Sequence, residues 1–176
     1  MKPLEVPITI EIDCSRLGSQ AEFADRARTA VIVAAQARGF TSGSIGLLIT
    51  DDETIQRINR EHLGHDYATD VISFSYEQQL PRVEGELVAS LETAAREASE
   101  LGWLASNELL LYVVHGVLHV CGMDDQSAEA RKQMRRVEQQ VLSSLGIADA
   151  SEFDPDAVAG TASRRQRNLH SPAQNT

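Results

Sequence analysis

Two histidines four residues apart, His115 and His119, lie inside the nearly unbroken apolar run from Leu109 to Cys121. At 3.6 residues per turn this spacing sets both imidazoles on one face of a helix, about 6 Å apart along its axis, where they can share one ion. Asp125, ten residues after the first histidine and just past a helix stop at Gly122, offers a third donor. Two histidines and a carboxylate, with a fourth position left open, make the donor set of a catalytic zinc centre. The competing reading makes both histidines core side chains bonded to backbone. Burying two imidazoles costs free energy unless each finds a partner, and one metal ion partners both, so the metal reading is preferred.

Asp124 and Asp125 have a second reading, since either can cap the helix that begins near Ser127, and on spacing alone the two readings stand level. Cys121 is a soft donor by chemistry but fits the core as a small apolar residue, and it is not assigned to the metal. The pattern differs from the H-E-x-x-H of metallopeptidases, because Gly116 occupies the place of their general-base glutamate.

Such a cluster needs a buried helix and a scaffold around it. Alternation from Val6 to Ile12 predicts a half-buried strand, and Phe23, Ala27, Ala30, Val31 and Ala34 fall at helical spacing between about Gln20 and Arg38. Ile45 to Thr50 is a second strand, and Asp51 caps a helix to about Leu63. Thr69 to Tyr76 and Gly85 to Leu91 are β-prone runs separated by a polar linker containing Pro81. Helices follow from Leu91 to Leu101, from about Ser106 to Cys121, and from Ser127 to Leu145. The expected fold is α+β: one domain over residues 1–154, with a mixed sheet of about four strands, about five helices and the metal site on a buried central helix. Residues 155–176, rich in Ser, Asn, Gln, Pro and Arg, are expected to be a disordered polar tail.

The 176 residues, 42% hydrophobic and 24% charged, match an ordinary globular domain rather than a disordered or fibrous chain. Cys14 and Cys121 form no C-x-x-C pair, which excludes a cysteine zinc knuckle and leaves reduced, buried thiols. The N-terminus lacks a signal-peptide apolar run, and Leu109 to Cys121 is too short to span a bilayer, so a cytoplasmic protein without a membrane partner is expected. A formal charge of −10 argues against a broad basic surface for DNA or RNA. A polyanionic substrate must then be met by a few placed groups or by the metal.

The segment His115-Gly-Val-Leu-His-Val-Cys-Gly-Met-Asp-Asp125 resembles the H-G-x-L-H-L-x-G-[YF]-D-H signature of the YbeY family of metal-dependent rRNA-maturation endoribonucleases. Thr69-Asp-Val-Ile-Ser-Phe74 looks like that family's T-D-V-L-S-F signature, and Gly85-Glu-Leu87 like its G-D-I element, with the match running from roughly Ile45 to Gly146. Two positions depart from the pattern. Asp125 replaces the third family histidine, a change zinc tolerates but one that moves selectivity toward harder ions such as manganese. Leu63 stands where the family has an arginine implicated in activity. Arg60, one turn earlier, either presents its guanidinium to the same cleft or is a solvated surface residue.

The resemblance implies hydrolysis of single-stranded RNA, at the 3′ region of 16S rRNA, with the small ribosomal subunit as partner and one zinc ion per chain. Water activation falls to the metal alone or to the metal with a nearby carboxylate such as Asp124, while Asp70 and Ser73 either line the cleft or make strand-end hydrogen bonds. Two other functions use the same site: a zinc hydrolase of peptides or amides, which lacks its glutamate at position 116, and a non-catalytic ribosome-assembly factor with a bound metal.

Overall fold

The structure, a computed structural model, describes residues 7–147. Strands β1 (Ile8–Asp13), β2 (Ser42–Thr50), β3 (Val71–Gln79) and β4 (Arg82–Ser90) form one sheet in the order β1-β2-β4-β3. The β1/β2 and β2/β4 pairs are parallel and β3/β4 is antiparallel, so the sheet is mixed. The helices are α1 (Gln20–Ala37), α2 (Asp52–Leu63), α3 (Leu91–Leu101), α4 (Ala105–Val120) and α5 (Ala128–Ser144), and the α+β expectation holds. Val6, where the first strand was expected to begin, and the whole of 155–176 lie outside the described residues.

The linker expected around Pro81 is instead mostly strand. β3 continues to Gln79 and β4 starts at Arg82, with Leu80 and Pro81 forming the turn between them. Polar residues suit this part of the hairpin because it is exposed, and Arg82 ion-pairs there with Glu77 and Glu84. Backbone ladder bonds ask for no apolar side chain when neither face is covered.

The pleat divides the core. Ile45, Leu47, Ile49, Val83 and Leu87 face α1, α4 and α5, whereas Ile72 and Val88 point the other way and pack on Ile55 of α2. Helix α4 lies in the larger cluster, with every residue from Leu109 to Val114 buried. Its near-continuous apolar sequence follows from this, since α1, α3, α5 and the sheet enclose it on several sides. Among the described residues no single helix is long and apolar enough to cross a membrane.

Close approach of α4 to the sheet rests on two glycines. A Cβ at Gly85 would sit 2.6 Å from Phe74 O and 2.5 Å from Val120 Cγ1, and one at Gly116 would sit 2.8 Å from Leu87 Cδ2. Ser73 and Ser75 on β3 donate to Gly116 O at 3.2 Å and Val120 O at 3.3 Å, which tethers the helix beneath its histidines.

Candidate metal centre

Helix α4 ends at Val120 with Cys121 as its C-cap, and Gly122, with φ 88°, turns the chain back. This left-handed conformation carries no Cβ penalty at glycine. Gly122 N donates to His119 O and Met123 N to Leu118 O, both at 2.9 Å, so the reversal is hydrogen-bonded. It returns Met123 O to 3.0 Å from His119 Nδ1 and brings Asp125 beside the histidines. Donor atoms of His115, His119 and Asp125 all lie within 4.8 Å of one another.

The hydrogen bonds fix which ring nitrogens face the centre. A carbonyl can only accept, so His119 Nδ1 carries a proton and donates to Met123 O. On the other imidazole, Nδ1 bonds the Glu138 carboxylate, which likewise accepts. Both Nε2 atoms therefore face inward, hydrogen-bonded to each other at 2.9 Å, and become lone-pair positions for an ion once His115 is neutral. Two lone pairs at that distance repel unless a proton or a cation lies between them. Asp125 adds negative charge on the same side, and the set of two imidazole nitrogens and one carboxylate oxygen fits a divalent ion such as zinc.

The electrostatics are asymmetric. Burial disfavours charge on His115, but Glu138, with Asp70 and Asp125 behind it, overrides this and raises its pKa. Burial, helped by the neighbouring His115 charge, lowers His119 to about 4 and keeps its Nε2 an acceptor at neutral pH.

A cavity of about 640 Å³ opens beside the pair, and His115, Asp125, Asp70 and Glu138 are in its wall. Asp70 Oδ1 accepts from Val71 N at 2.8 Å and from the Thr69 hydroxyl at 2.9 Å. Burial nevertheless raises its pKa above the usual carboxylate value, against these bonds and the His115 charge. Ser73, expected to border the cleft or end a strand, is instead buried under α4.

Arg60 does not reach this cavity. Its guanidinium lies 3.5 Å from Asp66 on an exposed surface, while Leu63 packs with Ile55, Ile72 and Val88 on the opposite side of the sheet from α4. Position 63 is here an apolar packing site. Asp124 is exposed and accepts from Gln126 N at 3.0 Å, shaping the ligand turn. The cap of α5 is Ser127, whose hydroxyl accepts from Ala130 N at 3.0 Å, so neither aspartate holds that role. Cys121 is buried, and burial pushes its thiol up to about 12 despite the Arg38 charge.

Sequence reasoning passed over Glu138 and Arg131, both on α5. Arg131 Nη1 donates to Asp125 O at 3.0 Å and Gln126 O at 3.2 Å, holding the ligand loop by its backbone. Glu138 falls between buried Met134 and Val141 on the apolar face of α5. A carboxylate on such a face is costly without a partner, and this was the available signal.

Comparison with known proteins bears on what the centre belongs to. The pattern of the family described as Endoribonuclease YbeY matches residues 10–146. An Endoribonuclease YbeY of Rhodopirellula baltica is 55% identical over 131 residues, covering 73% of this chain and 68% of that protein. Another from Rhodospirillum rubrum is 32% identical over 166 residues, covering 84% and 83%. The solution structure of a structural-genomics target protein from Thermotoga maritima superposes with a TM-score of 0.56 at 20% identity, covering 84% of this chain and 97% of that one, and so shares its fold. A family pattern that spans most of the chain, with relatives aligned over so much of their own length, makes this protein a member of the Endoribonuclease YbeY family.

Proposed function

We propose that this protein is a metal-dependent endoribonuclease specific for single strands, acting on the 3′ region of 16S rRNA during maturation and quality control of the small ribosomal subunit in the cytoplasm. Zinc is the proposed resident ion, with manganese favoured as a competitor by the hard oxygen of Asp125. The observation that carries this reading is the inward-facing Nε2 pair at 2.9 Å, with Asp125 beside it on the wall of an open cavity, in a chain of this family.

His115, His119 and Asp125 would hold a divalent ion, which would supply Lewis acidity for water activation and phosphoryl polarisation. The chain's own residues prepare for that. Glu138 and Met123 O engage the Nδ1 atoms of the two imidazoles, which turns both Nε2 atoms toward the centre. Arg131 fixes the backbone that carries Asp125, and Asp124 shapes the same turn. Asp70, its Oδ1 occupied by two donors and its pKa raised by burial, is the carboxyl we assign to take up or deliver a proton at Oδ2. No comparable group follows the first histidine. A side chain at position 116 would start out against Leu87 and Ser73 of the sheet, which would have to shift to admit the glutamate of the peptidase arrangement.

The test uses the full chain, with metal measured by elemental analysis and with single-stranded RNA and casein as substrates. Wild type should hold one ion, cleave the RNA and leave casein intact. His119→Ala should lose both the metal and the cleavage. Full metal content in that variant contradicts the site, and casein cleavage with intact RNA contradicts the nuclease.

A further inference from the structure

The cavity that holds His115 and Asp125 is a poor electrostatic trap for RNA. Its wall carries six carboxylates against three arginines, and the whole chain has a formal charge of −10. Most non-specific RNA binding rests on cations that neutralise phosphates. Beyond the ion's contact with one phosphoryl oxygen, the strand needs a hold other than phosphate charge, and base stacking on an aromatic face is the other general means.

Tyr67 is in the same cavity wall, and at 37% exposure it is one of few large hydrophobic side chains open to solvent. The ring of His65 stacks on it with centroids 5.5 Å apart and planes 12° from parallel. The short segment bearing both rings is tied to α2. Gly64 turns it out of the helix with φ 73°, and His65 N donates to Asn59 O at 3.3 Å. Buried Asn59 donates from Nδ2 to Tyr67 O at 3.0 Å, and Asp66 between the rings accepts from Gln56 Nε2 at 3.0 Å. An aromatic pair held this way loses little freedom when a ligand arrives.

The geometry points to the His65–Tyr67 stack as a base platform, on which an unpaired nucleobase of the substrate lies while its strand crosses the metal centre. The inference rests on the endoribonuclease reading and deepens it: the platform supplies the selection of single strands, since bases inside a duplex are already stacked and offer no free face.

A short single-stranded RNA carrying one 2-aminopurine, whose fluorescence falls on stacking, reads the platform directly. It is mixed in stopped flow with the metal-loaded full chain. Wild type should quench the probe in the single strand and leave the same probe in a duplex unchanged. Tyr67→Ala should abolish the quench and raise KM about tenfold, a value within the range of one lost base stack, with the loss on KM rather than kcat and with metal content kept. Tyr67→Phe should restore both, because it keeps the ring, and Tyr76→Ala, an exposed tyrosine outside the cavity, should behave as wild type. Quenching and KM unchanged in Tyr67→Ala, alongside normal wild-type cleavage, overturn the platform alone. Failure of Tyr67→Phe to rescue overturns stacking in favour of the hydroxyl. A metal-loaded wild type that neither binds nor cuts the RNA overturns the ribonuclease reading and the platform with it.

Discussion

His115 sits between the proposed metal position on one nitrogen and a buried carboxylate on the other. Glu138 fixes its tautomer and makes the ring a stronger donor, so Glu138→Gln should weaken metal affinity about 10- to 100-fold in a chelator competition. Affinity equal to wild type would show that the contact orients nothing. Cys121 should resist iodoacetamide in the folded protein and react once it is unfolded, because burial keeps it a thiol, with a pKa raised to about 12. Rapid alkylation of native protein at Cys121 contradicts its assignment to the core. The histidine pair could be read from the chain because both members share one helix, whose period alone sets them together. Glu138 could not, since its partner lies 23 residues away on another helix and the meeting depends on how α4 and α5 pack. For Arg60, helix spacing leaves open a place in the cleft or one on the solvated surface, and the structure puts it on the surface beside Asp66, since which side of the sheet α2 covers is not a local property.

Helix α4 brings the proposed ligands His115 and His119 to the cleft while lying close on β3 and β4. Gly85→Ala forces a methyl against Phe74 O and Val120, and should cost about 1–3 kcal/mol of stability in a denaturant titration. A variant as stable as wild type would mean that the strand and helix can separate without loss. The order of strands and helices followed from alternation, apolar runs and stop residues such as Gly122, all of which are local. What those patterns missed was the length of the β3–β4 hairpin, because Glu77, Gln78 and Gln79 are held by ladder pairing with β4 rather than by any buried face. Parallel insertion of β4 between β2 and β3 was likewise beyond local pattern, as it depends on contacts between strands far apart in sequence.

Across the whole molecule, the three proposed ligands come from one helix and its following turn, braced by α5 and the sheet, so ion binding there would be coupled to folding. At a free zinc concentration 100 times its Kd, the bound ion should add about 2.7 kcal/mol to stability, raising the Tm by roughly 5–10 °C. Asp125→Ala should show a much smaller rise at the same zinc concentration, and an equal rise would place the ion elsewhere. The most direct test of the account is a zinc titration of chelator-treated full chain, with cleavage of single-stranded RNA measured at each addition. Activity should climb from zero and level off at one equivalent in wild type, with none appearing in Asp125→Ala. Cleavage that persists in the metal-free protein, or one bound equivalent with no cleavage, would contradict a catalytic centre at His115, His119 and Asp125.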